Sequence, residues 1–175
     1  DHVRAELERL PGIEAAAAAR IVPFTDNTRM AATVTLSDTG EALDARFSWN
    51  PLTSEYFRAM EIPLLQGRAF AARETEGDKV AIVNHTFVER YLGKRNPVGL
   101  TILWRQDKPI PYRIVGVVAG TKTMTIGEDD QPQLYEPLAQ IRNDRPRIQF
   151  VLRSAVPPST QLAAVNQSVR AIDPN

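Results

Sequence analysis

The segment Asp78–Gly99, DKVAIVNHTFVERYLGKRNPVG, decides the predicted fold. It opens with Val80–Val83, a short run rich in β-branched residues that is typical of a buried strand. Asn84 follows at a helix N-cap position, because its side-chain oxygen can accept a backbone N–H of the first turn. A strand that leads directly into a helix must bury one helix face on a sheet, so the segment predicts a fold of mixed helices and strands. Gly93 ends that short helix, whose apolar face is formed by Phe87, Val88, Tyr91 and Leu92.

The composition bounds the class of protein. The chain has 175 residues, of which 43% are hydrophobic, enough for one domain or two small lobes with a packed core. Lys and Arg number 21, as do Asp and Glu, and a net charge of zero argues against nucleic-acid binding, which needs a basic surplus. The absence of Cys excludes disulfides and thiol catalysis, and with 2 His it argues against a zinc site. Because the chain starts at Asp1 and has no apolar run that could span a bilayer, we expect an excised piece of a larger protein that does not itself insert into a membrane.

The elements predicted before the central segment mix helices and strands. The Ala15–Ala19 run favours a helix by propensity, yet it lies between Pro11-Gly12 and Pro23 and leads into β-branched residues, so we predict a strand. Asn50-Pro51 is predicted to break the second hairpin strand, after which Thr53 caps a short helix. In chain order we expect a helix over Asp1–Leu10, a strand within Ile13–Pro23, a hairpin of Met30–Ser37 and Ala45–Trp49, and a helix from Thr53 to Met60.

The elements predicted after the central segment complete an α+β fold without internal repeats. Pro137 beside Leu134-Tyr135 indicates a brief edge strand, where a proline is tolerated. The last helix begins at Pro157-Pro158, ends at Asp173-Pro174, and carries an apolar stripe that is predicted to face the core, formed by Leu162, Val165, Val169 and Ile172. The strands expected here are a hairpin of Leu100–Trp104 with Ile110–Val118, the edge strand, and a strand over Ile148–Arg153.

No catalytic, cofactor-binding or metal-binding residue is predicted, since the sequence lacks a GxSxG nucleophile elbow and a phosphate-binding P-loop. His85 falls in the first turn of the predicted helix, where an exposed polar residue is favoured over a ligand or a catalytic group. Glu128-Asp129-Asp130 lacks the spacing of a calcium loop, so a solvated acidic tip is favoured over a cation site. Solvated side chains are likewise favoured over a patch for lipid headgroups or an acidic partner at Arg142, Arg145 and Arg147. The residues alone therefore support a non-catalytic α+β module.

An ordered set of short motifs links this chain to a known family. In chain order the motifs are Tyr56-Phe57-x-x-Met60-x-Ile62-Pro63-Leu64-Leu65-x-Gly67-Arg68-x-Phe70, Val80-Ala81-Ile82-Val83-Asn84, Asn96-Pro97-Val98-Gly99, Ile114-Val115-Gly116-Val117-Val118, Tyr135-x-Pro137 and Ile172-Asp173-Pro174. Each motif is weak alone, but the order is specific. With this set, the chain resembles the periplasmic core domain of MacB-type ABC transporter permeases over about residues 50–174. Its start, Leu10-Pro11-Gly12-Ile13 before the alanine-rich strand, resembles the second periplasmic domain of the duplicated permeases abundant in acidobacteria.

The resemblance implies an α+β fold with two lobes. Residues 1–50 and 145–175 would form a lobe similar to the porter subdomains of RND efflux pumps, and residues 51–144 would form an inserted Sabre-like lobe. The family's porter-like lobe has a strand before its first helix, whereas this chain begins at the helix. We therefore expect an exposed sheet edge that can pair with a neighbouring molecule. A lobe with every sheet edge covered within one chain would contradict this expectation.

The resemblance also implies a function without catalysis and without a cofactor. In the family the domain lies on the periplasmic side of the bacterial inner membrane, anchored by the parent chain, and ATP is hydrolysed in a cytoplasmic domain. The domain would couple that cycle mechanically to substrate export or to contact with a periplasmic adaptor or another transporter subunit, next to a permease partner half. The alternative is a stand-alone secreted binding module for a small ligand or peptide, which a signal peptide without flanking membrane spans would indicate. An enzyme is the least favoured reading, because no nucleophile–base pair emerges.

Overall fold

The computed structural model describes residues 2–24, 29–71, 74, 77–104, 108–122, 127, 129–141 and 147–172, with the side chains of residues 29–31 excepted. Asp1, Glu128, Arg142, Arg145, Asp173 and Pro174, which entered the predictions above, lie outside the described residues. The elements are α1 (His2–Glu8), β1 (Ile13–Ala19), β2 (Arg29–Leu36), β3 (Ala42–Leu52), α2 (Tyr56–Ala59), β4 (Leu64–Gly67), β5 (Lys79–Asn84), α3 (His85–Phe87), a π-helix (Val88–Leu92), β6 (Thr101–Trp104), β7 (Ile110–Val118), β8 (Gln133–Pro137), a 3-10 turn (Leu138–Gln140), β9 (Gln149–Ser154) and α4 (Pro158–Ile172).

Six of the nine strands in the described residues close into a ring. The hydrogen-bonded order runs β2–β6–β7–β5–β8–β3, and β3 pairs back to β2. The β3–β8 and β5–β7 pairs are parallel, and the other neighbours in the ring are antiparallel. We call this ring, made of β2, β3, β5, β6, β7 and β8, the barrel. Because each of its strands has two neighbours, alternate residues face an interior that the barrel's own elements must fill.

Aromatic side chains fill the barrel interior. The ring centroids of Phe47 and Trp104 lie 5.4 Å apart, and those of Trp104 and Tyr112 lie 5.6 Å apart. Phe87, at the end of α3, packs edge-on against Phe47 at 5.7 Å. All four residues are at most 1% exposed. Since α3 follows β5 directly, the helix closes the end of the barrel that lies beyond the carboxyl end of β5.

The central segment has the predicted structure. β5 is followed without a loop by α3, and the Asn84 side chain accepts the Phe87 N–H at 3.0 Å as the predicted N-cap. The helix then continues as the π-helix, in which Val88 and Leu92 are buried. Gly93 ends it with a φ of 60°, a left-handed backbone that glycine adopts without strain. The predicted β6–β7 hairpin is confirmed as well, and β7 is central, with β4, β5 and β6 as neighbours.

The flank, which we define as α1, β1, β9 and α4, adjoins one strand of the barrel. β1 pairs antiparallel with β9 along its length, which confirms the strand predicted over the alanine run. At its end β1 meets the barrel, where Ala19 pairs with Leu52 of β3. The five alanines of β1 are at most 4% exposed, because elements pack closely on both of its faces. α1 packs on β1, and α4 packs on α1.

A second core joins the flank to the outer wall of the barrel. On the flank side, Ala15, Ala17 and Ala19 of β1 pack with Tyr56 and Phe57 from the α2 segment. Phe57 meets the ring of Tyr135 edge-on at 5.1 Å between centroids. The outward-facing residues of β5, β7 and β8 complete this core, namely Val80, Ile82, Val115, Val118 and Tyr135. Flank and barrel therefore share a buried layer as well as one continuous sheet.

Both predictions that used a proline to limit a strand are wrong. β3 does not break at Asn50-Pro51 but runs to Leu52. The Ser48 N–H points toward β8, where it donates to the Pro132 carbonyl, and backbone groups alternate in direction along a strand. The backbone nitrogen of Pro51 therefore points away from β8, toward β1. On that side β3 pairs only at Leu52, so the N–H that proline lacks is not needed for the sheet. β8 is not an edge strand, because β3 and β5 pair with it on either side, and Pro137 is its last residue.

Two predictions about helices are also wrong. Thr53 does not cap the helix that follows it, since its hydroxyl accepts the Ala18 N–H at 3.1 Å and α2 begins at Tyr56. The stripe of α4 is not buried in a core: α4 packs on α1, but Val165, Val169 and Ile172 are only half-buried and Leu162 is 60% exposed. Periodicity identifies the apolar face of a helix but not whether another element covers it.

Helices and strands are mixed as predicted for an α+β fold. The division into a porter-like lobe (residues 1–50 and 145–175) and an inserted lobe (residues 51–144) stays a prediction. In the structure, β2 and β3 belong to the same hydrogen-bonded ring as β5 to β8. Within the described parts of the chain, no helix has the length and apolar character that crossing a membrane requires.

Candidate functional site

Those candidates from the sequence that the structure describes belong to no group that could hold a metal ion. His85 is exposed on α3, and its Nε2 lies 3.2 Å from Oε1 of Glu89 on the next turn. Asp129 and Arg147 are exposed. Among the described residues, no group of three or more His, Asp or Glu side chains is close enough to share a metal ion. The expectation that the chain has no catalytic, cofactor or metal residue stays a prediction.

Buried amide and hydroxyl groups instead cluster where the barrel meets the flank. We call this cluster the polar joint and define it as Asn50, Tyr56, Asn84, Thr121, Gln133 and Tyr135. Asn50, near the end of β3, binds the backbone of Ile21 twice, accepting its N–H at 3.0 Å and donating to its carbonyl at 2.8 Å. The Asn50 amide thus makes the two backbone hydrogen bonds that a neighbouring strand would otherwise make, and it fixes the position of the chain just after β1.

A second part of the polar joint holds the two ends of the β7–β8 connection. Oδ1 of Asn84 accepts the Gln133 N–H at 2.9 Å in addition to its capping bond, and Nδ2 donates to the Gln131 carbonyl at 2.7 Å. Nε2 of Gln133 donates to the Thr121 carbonyl at 2.9 Å, and the Thr121 hydroxyl donates back to Oε1 of Gln133 at 3.0 Å. The segment after β7 is therefore tied to the segment before β8 and to the start of α3.

The polar joint encloses a small cavity between two tyrosines. The cavity has a volume of about 20 Å³ and is lined by Tyr56, Gln133 and Tyr135 among others, room for about one water molecule. Burial raises the pKa of Tyr56 to about 12, because the phenolate loses its hydration there. Burial also raises the pKa of Tyr135. Both hydroxyls stay protonated at neutral pH and act as hydrogen-bonding groups, not as bases.

A buried ion pair lies at the other end of the barrel, away from α3. Glu136 of β8 is 0% exposed, and its Oε1 lies 3.0 Å from Nζ of Lys79 at the start of β5. The Tyr112 hydroxyl donates to the same oxygen at 3.2 Å, and Nε1 of Trp49 donates to Oε2 at 3.0 Å. Four strands, β3, β5, β7 and β8, therefore meet on one carboxylate, which joins them at this end of the barrel.

An open cleft of about 610 Å³ lies between α1, the β3–α2 link and the turn after β8. Two charged side chains at its rim form ion pairs within the chain: Glu74 pairs with Arg68 at 2.5 Å, and Arg4 pairs with Glu8 at 2.7 Å. Its floor includes Leu52, Phe70, Pro137, Leu138 and Ile148. A cleft with an apolar floor and paired charges offers a surface for contact.

β9 is the outermost strand of the flank. β9 pairs with β1 on one side, and no other strand of the described residues pairs with it. The surface around it carries several exposed apolar side chains. These are Ile148 (37% exposed), Phe150 (39%), Val156 (38%) and Leu162 (60%).

Sequence reasoning missed the buried polar groups Asn50, Gln133 and Glu136. The alternation of residues in β8 could have revealed two of them. Gln133 and Tyr135 lie on one face of this short strand, and Leu134 and Glu136 lie on the other, so each face carries a polar side chain. A strand buried on both faces must satisfy its polar side chains, so these residues indicated internal hydrogen bonds.

The fold and its polar groups together define a class, an α+β module whose buried polar side chains bind its own strands to one another. The sequence profile of one family, described as MacB-like periplasmic core domain, matches residues 1–172, and the chain therefore belongs to that family. It is an extracytoplasmic domain of a transporter permease, on the periplasmic or extracellular side. This finding confirms the resemblance carried by the ordered motifs.

Two solved structures share the fold. The periplasmic region of MacB from Actinobacillus actinomycetemcomitans is 16% identical, with a TM-score of 0.67 over 98% of this chain and 72% of that one. The extracellular domain of the ABC-type transporter YknZ from Gram-positive bacteria is 15% identical, with a TM-score of 0.64 over 100% of this chain and 82% of that one. No curated protein matches the chain. The second of these structures is a domain of a transporter.

Proposed function

We propose that this chain is a non-catalytic domain that couples the ATPase cycle of an ABC transporter permease mechanically to substrate export or partner contact outside the membrane. The observation that carries the proposal is the position of the two chain ends in the flank. Gln161, in the first turn of α4, donates to the Pro11 carbonyl at 2.7 Å, and the Ala155 N–H donates to the Gly12 carbonyl at 2.9 Å. α1 ends and α4 begins at this shared corner of the flank.

Since both helices run from that corner and pack on each other, His2 and Ile172 lie toward the opposite end of the flank. A parent chain that continues beyond both ends would then pull or push the domain from one side. The load would enter through the flank, in which none of the described residues of α4 is buried.

The barrel is built to move with the flank as one body. The sheet runs from β9 through β1 into the barrel, which β1 reaches by pairing Ala19 with Leu52 of β3. Asn50 binds the chain beyond β1 to β3, and the second core packs β1 against the outer wall of the barrel. A displacement of the flank is therefore passed to the barrel instead of being absorbed by a hinge at this junction.

The partners that fit this role are a periplasmic adaptor or another transporter subunit, with a second permease half beside the parent chain. A net charge of zero gives no support for nucleic-acid contact. We place the domain on the periplasmic side of the inner membrane of a Gram-negative bacterium, with the parent chain as its anchor. Efflux is the transport direction that we propose.

The test uses a permease that carries this chain as its extracytoplasmic domain and the substitution Asn50→Ala. We expect ATP hydrolysis to continue while export falls several-fold, because the flank then moves without carrying the barrel. Gln66→Ala, on exposed β4, is the matched control and should leave both rates unchanged. Normal export by a folded Asn50→Ala permease would contradict the coupling route. Loss of ATP hydrolysis and export together would contradict a purely mechanical role.

A further inference from the structure

We propose that the cavity of the polar joint binds a single water molecule, which links Tyr56 of α2 to Asn50 of β3 and Gln133 of β8. The inference rests on the size of the cavity, on the uncharged residues that line it, and on three buried side chains that keep free hydrogen-bonding positions among the described residues. It assigns a ligand to this site and does not depend on the transport role.

The size of the cavity limits the ligand to one small molecule. Its volume of about 20 Å³ exceeds the roughly 10–15 Å³ that one water molecule needs, and a sugar, a lipid headgroup or a peptide side chain would not fit. Three of its lining residues, Ile21, Pro23 and Thr121, are half-buried. The cavity therefore lies just below the surface, where solvent can reach it.

The Tyr56 hydroxyl is the group that most needs a ligand in this cavity. The Tyr56 residue is 4% exposed, and its side chain lines the cavity. Burial raises its pKa without a contribution from a hydrogen bond, and no described residue donates to or accepts from its hydroxyl. A buried hydroxyl without a partner loses the hydrogen bonds that it makes to water in the unfolded chain, and for this reason such groups are rare. A water in the cavity restores one of those bonds.

Two amide groups bring a further N–H each to the same cavity. Nδ2 of Asn50 donates one hydrogen to the Ile21 carbonyl, and Nε2 of Gln133 donates one to the Thr121 carbonyl. Each amide nitrogen carries a second hydrogen, which has no acceptor among the described residues. Asn50 cannot turn its amide over without losing both of its bonds to Ile21. With Tyr56, the two amides give a water three polar partners, the usual number for a buried water.

The chemistry of the lining favours neutral water over an ion. The described residues that line the cavity carry no charge, whereas a cation needs several oxygen ligands and two of the free groups here are N–H donors. An anion would lose its hydration without gaining an opposite charge. The pKa of Tyr135, which burial raises most, is raised further by the nearby Asp130 carboxylate, and the same negative charge repels an anion.

The water would join parts of the polar joint that do not bond to one another directly. Asn50 bonds to the backbone of Ile21, and Gln133 bonds to Asn84 and Thr121, while Tyr56 bonds to neither group among the described residues. One water that contacts all three side chains connects α2, β3 and β8 in a single network. The polar joint is then complete only with its water.

The first test is a crystal structure of the 175-residue chain at a resolution that shows ordered water. We expect one water in the cavity, about 2.5–3.2 Å from Oη of Tyr56 and from the amide nitrogen of Asn50 or Gln133. An empty cavity, or a direct bond between the Tyr56 hydroxyl and another side chain, would overturn the inference. Oxygen contacts of about 2.3–2.6 Å would indicate a bound cation and would overturn it as well.

A second test reads the state of the hydroxyl from stability, by urea unfolding of Tyr56→Phe at neutral pH. Removing a hydroxyl that bonds to water should lower the folding equilibrium constant about fivefold, whereas removing a buried hydroxyl without a partner leaves it unchanged or raises it. Tyr91→Phe is the matched reference, because the Tyr91 hydroxyl bonds directly to the N–H and the carbonyl of Arg46, both at 2.8 Å. Its folding constant should also fall. A Tyr56→Phe chain that is as stable as the unsubstituted chain, or more stable, would contradict the bound water.

Discussion

The barrel packs four aromatic rings inside a closed ring of strands, whereas the flank packs five alanines in a strand whose only extended neighbour is β9. Inside the barrel, Phe47, Phe87, Trp104 and Tyr112 are at most 1% exposed. In the flank, α4 has no buried residue at all among those described. A two-stranded sheet is marginal unless other elements cover it. The comparison indicates that residues of the barrel's own elements fill its interior, whereas β1 of the flank is covered by α1, by α2 and by the outer wall of the barrel.

The ion pairs of the two regions also differ in burial. The barrel's Glu136 is fully buried and pairs with Lys79, while the flank's Glu8 lies at the surface with Arg4 and Arg58. A buried carboxylate that loses its partner strongly lowers the stability of the fold, whereas an exposed one is stabilised by water. Stability should therefore be concentrated in the barrel, and the flank should tolerate substitution.

The largest effect is expected for removal of an aromatic ring from the barrel. Trp104→Ala leaves a cavity between Phe47 and Tyr112 and should lower the free energy of unfolding by about 4 kcal/mol. Leu162→Ala on α4 should change it by less than about 0.5 kcal/mol. Urea unfolding of both variants measures the difference. Equal losses for the two variants would break the comparison.

The buried ion pair gives the next largest effect. Lys79→Met removes the cation from the buried Glu136, which keeps the Tyr112 hydroxyl and the Trp49 N–H among its donors, and should lower stability by about 3 kcal/mol. The loss should persist at high salt, because a buried charge is poorly screened. Lys79→Arg, which keeps the charge, is the matched control and should lose less. A loss under about 1 kcal/mol for Lys79→Met would contradict the structural role of the pair.

The polar joint between barrel and flank predicts a loss of stability at high pH. The pKa of Tyr56 is raised from 10.0 to about 12, so folding favours its neutral form. That stabilisation is complete below about pH 10 and is lost as the pH rises through about 12, at most about 2–3 kcal/mol. Tyr56→Phe should flatten this part of the pH profile, measured by urea unfolding between about pH 9 and about pH 11. Unchanged alkaline sensitivity in Tyr56→Phe would contradict the assignment.

The sequence predicted elements whose signals are local. Asn84 as a helix cap and Gly93 as a helix end follow from the chemistry of single residues, and both are confirmed. The strand over the alanine run of β1 follows, against helix propensity, from its position between Pro11-Gly12 and Pro23 and from the β-branched residues Ile21 and Val22 after it.

Tertiary relations were beyond the sequence. Pro137 suggested an edge, but which strands flank β8 is decided by ring closure between residues far apart in the chain. The stripe of α4 was read as core-facing, since a period of 3.6 is the same for a covered and an uncovered face. Asn50 and Gln133 became a candidate site only once their distant partners Ile21 and Thr121 were placed beside them.

The smallest effect tests the flank's surface charges. Glu8 pairs with Arg4 at 2.7 Å and with Arg58 at 2.5 Å, and the Arg58 side chain is 60% exposed. Glu8→Gln should lower stability by less than about 1 kcal/mol, because water and salt replace most of what an exposed ion pair supplies. The loss should shrink further at about 1 M salt, where the screening length is about 3 Å. Urea unfolding of Glu8→Gln and Lys79→Met at low and high salt makes the contrast direct. A Glu8→Gln loss as large and as salt-resistant as the Lys79→Met loss would contradict this contrast. It would mean that α1 is held to α2 as firmly as the barrel strands are held to each other.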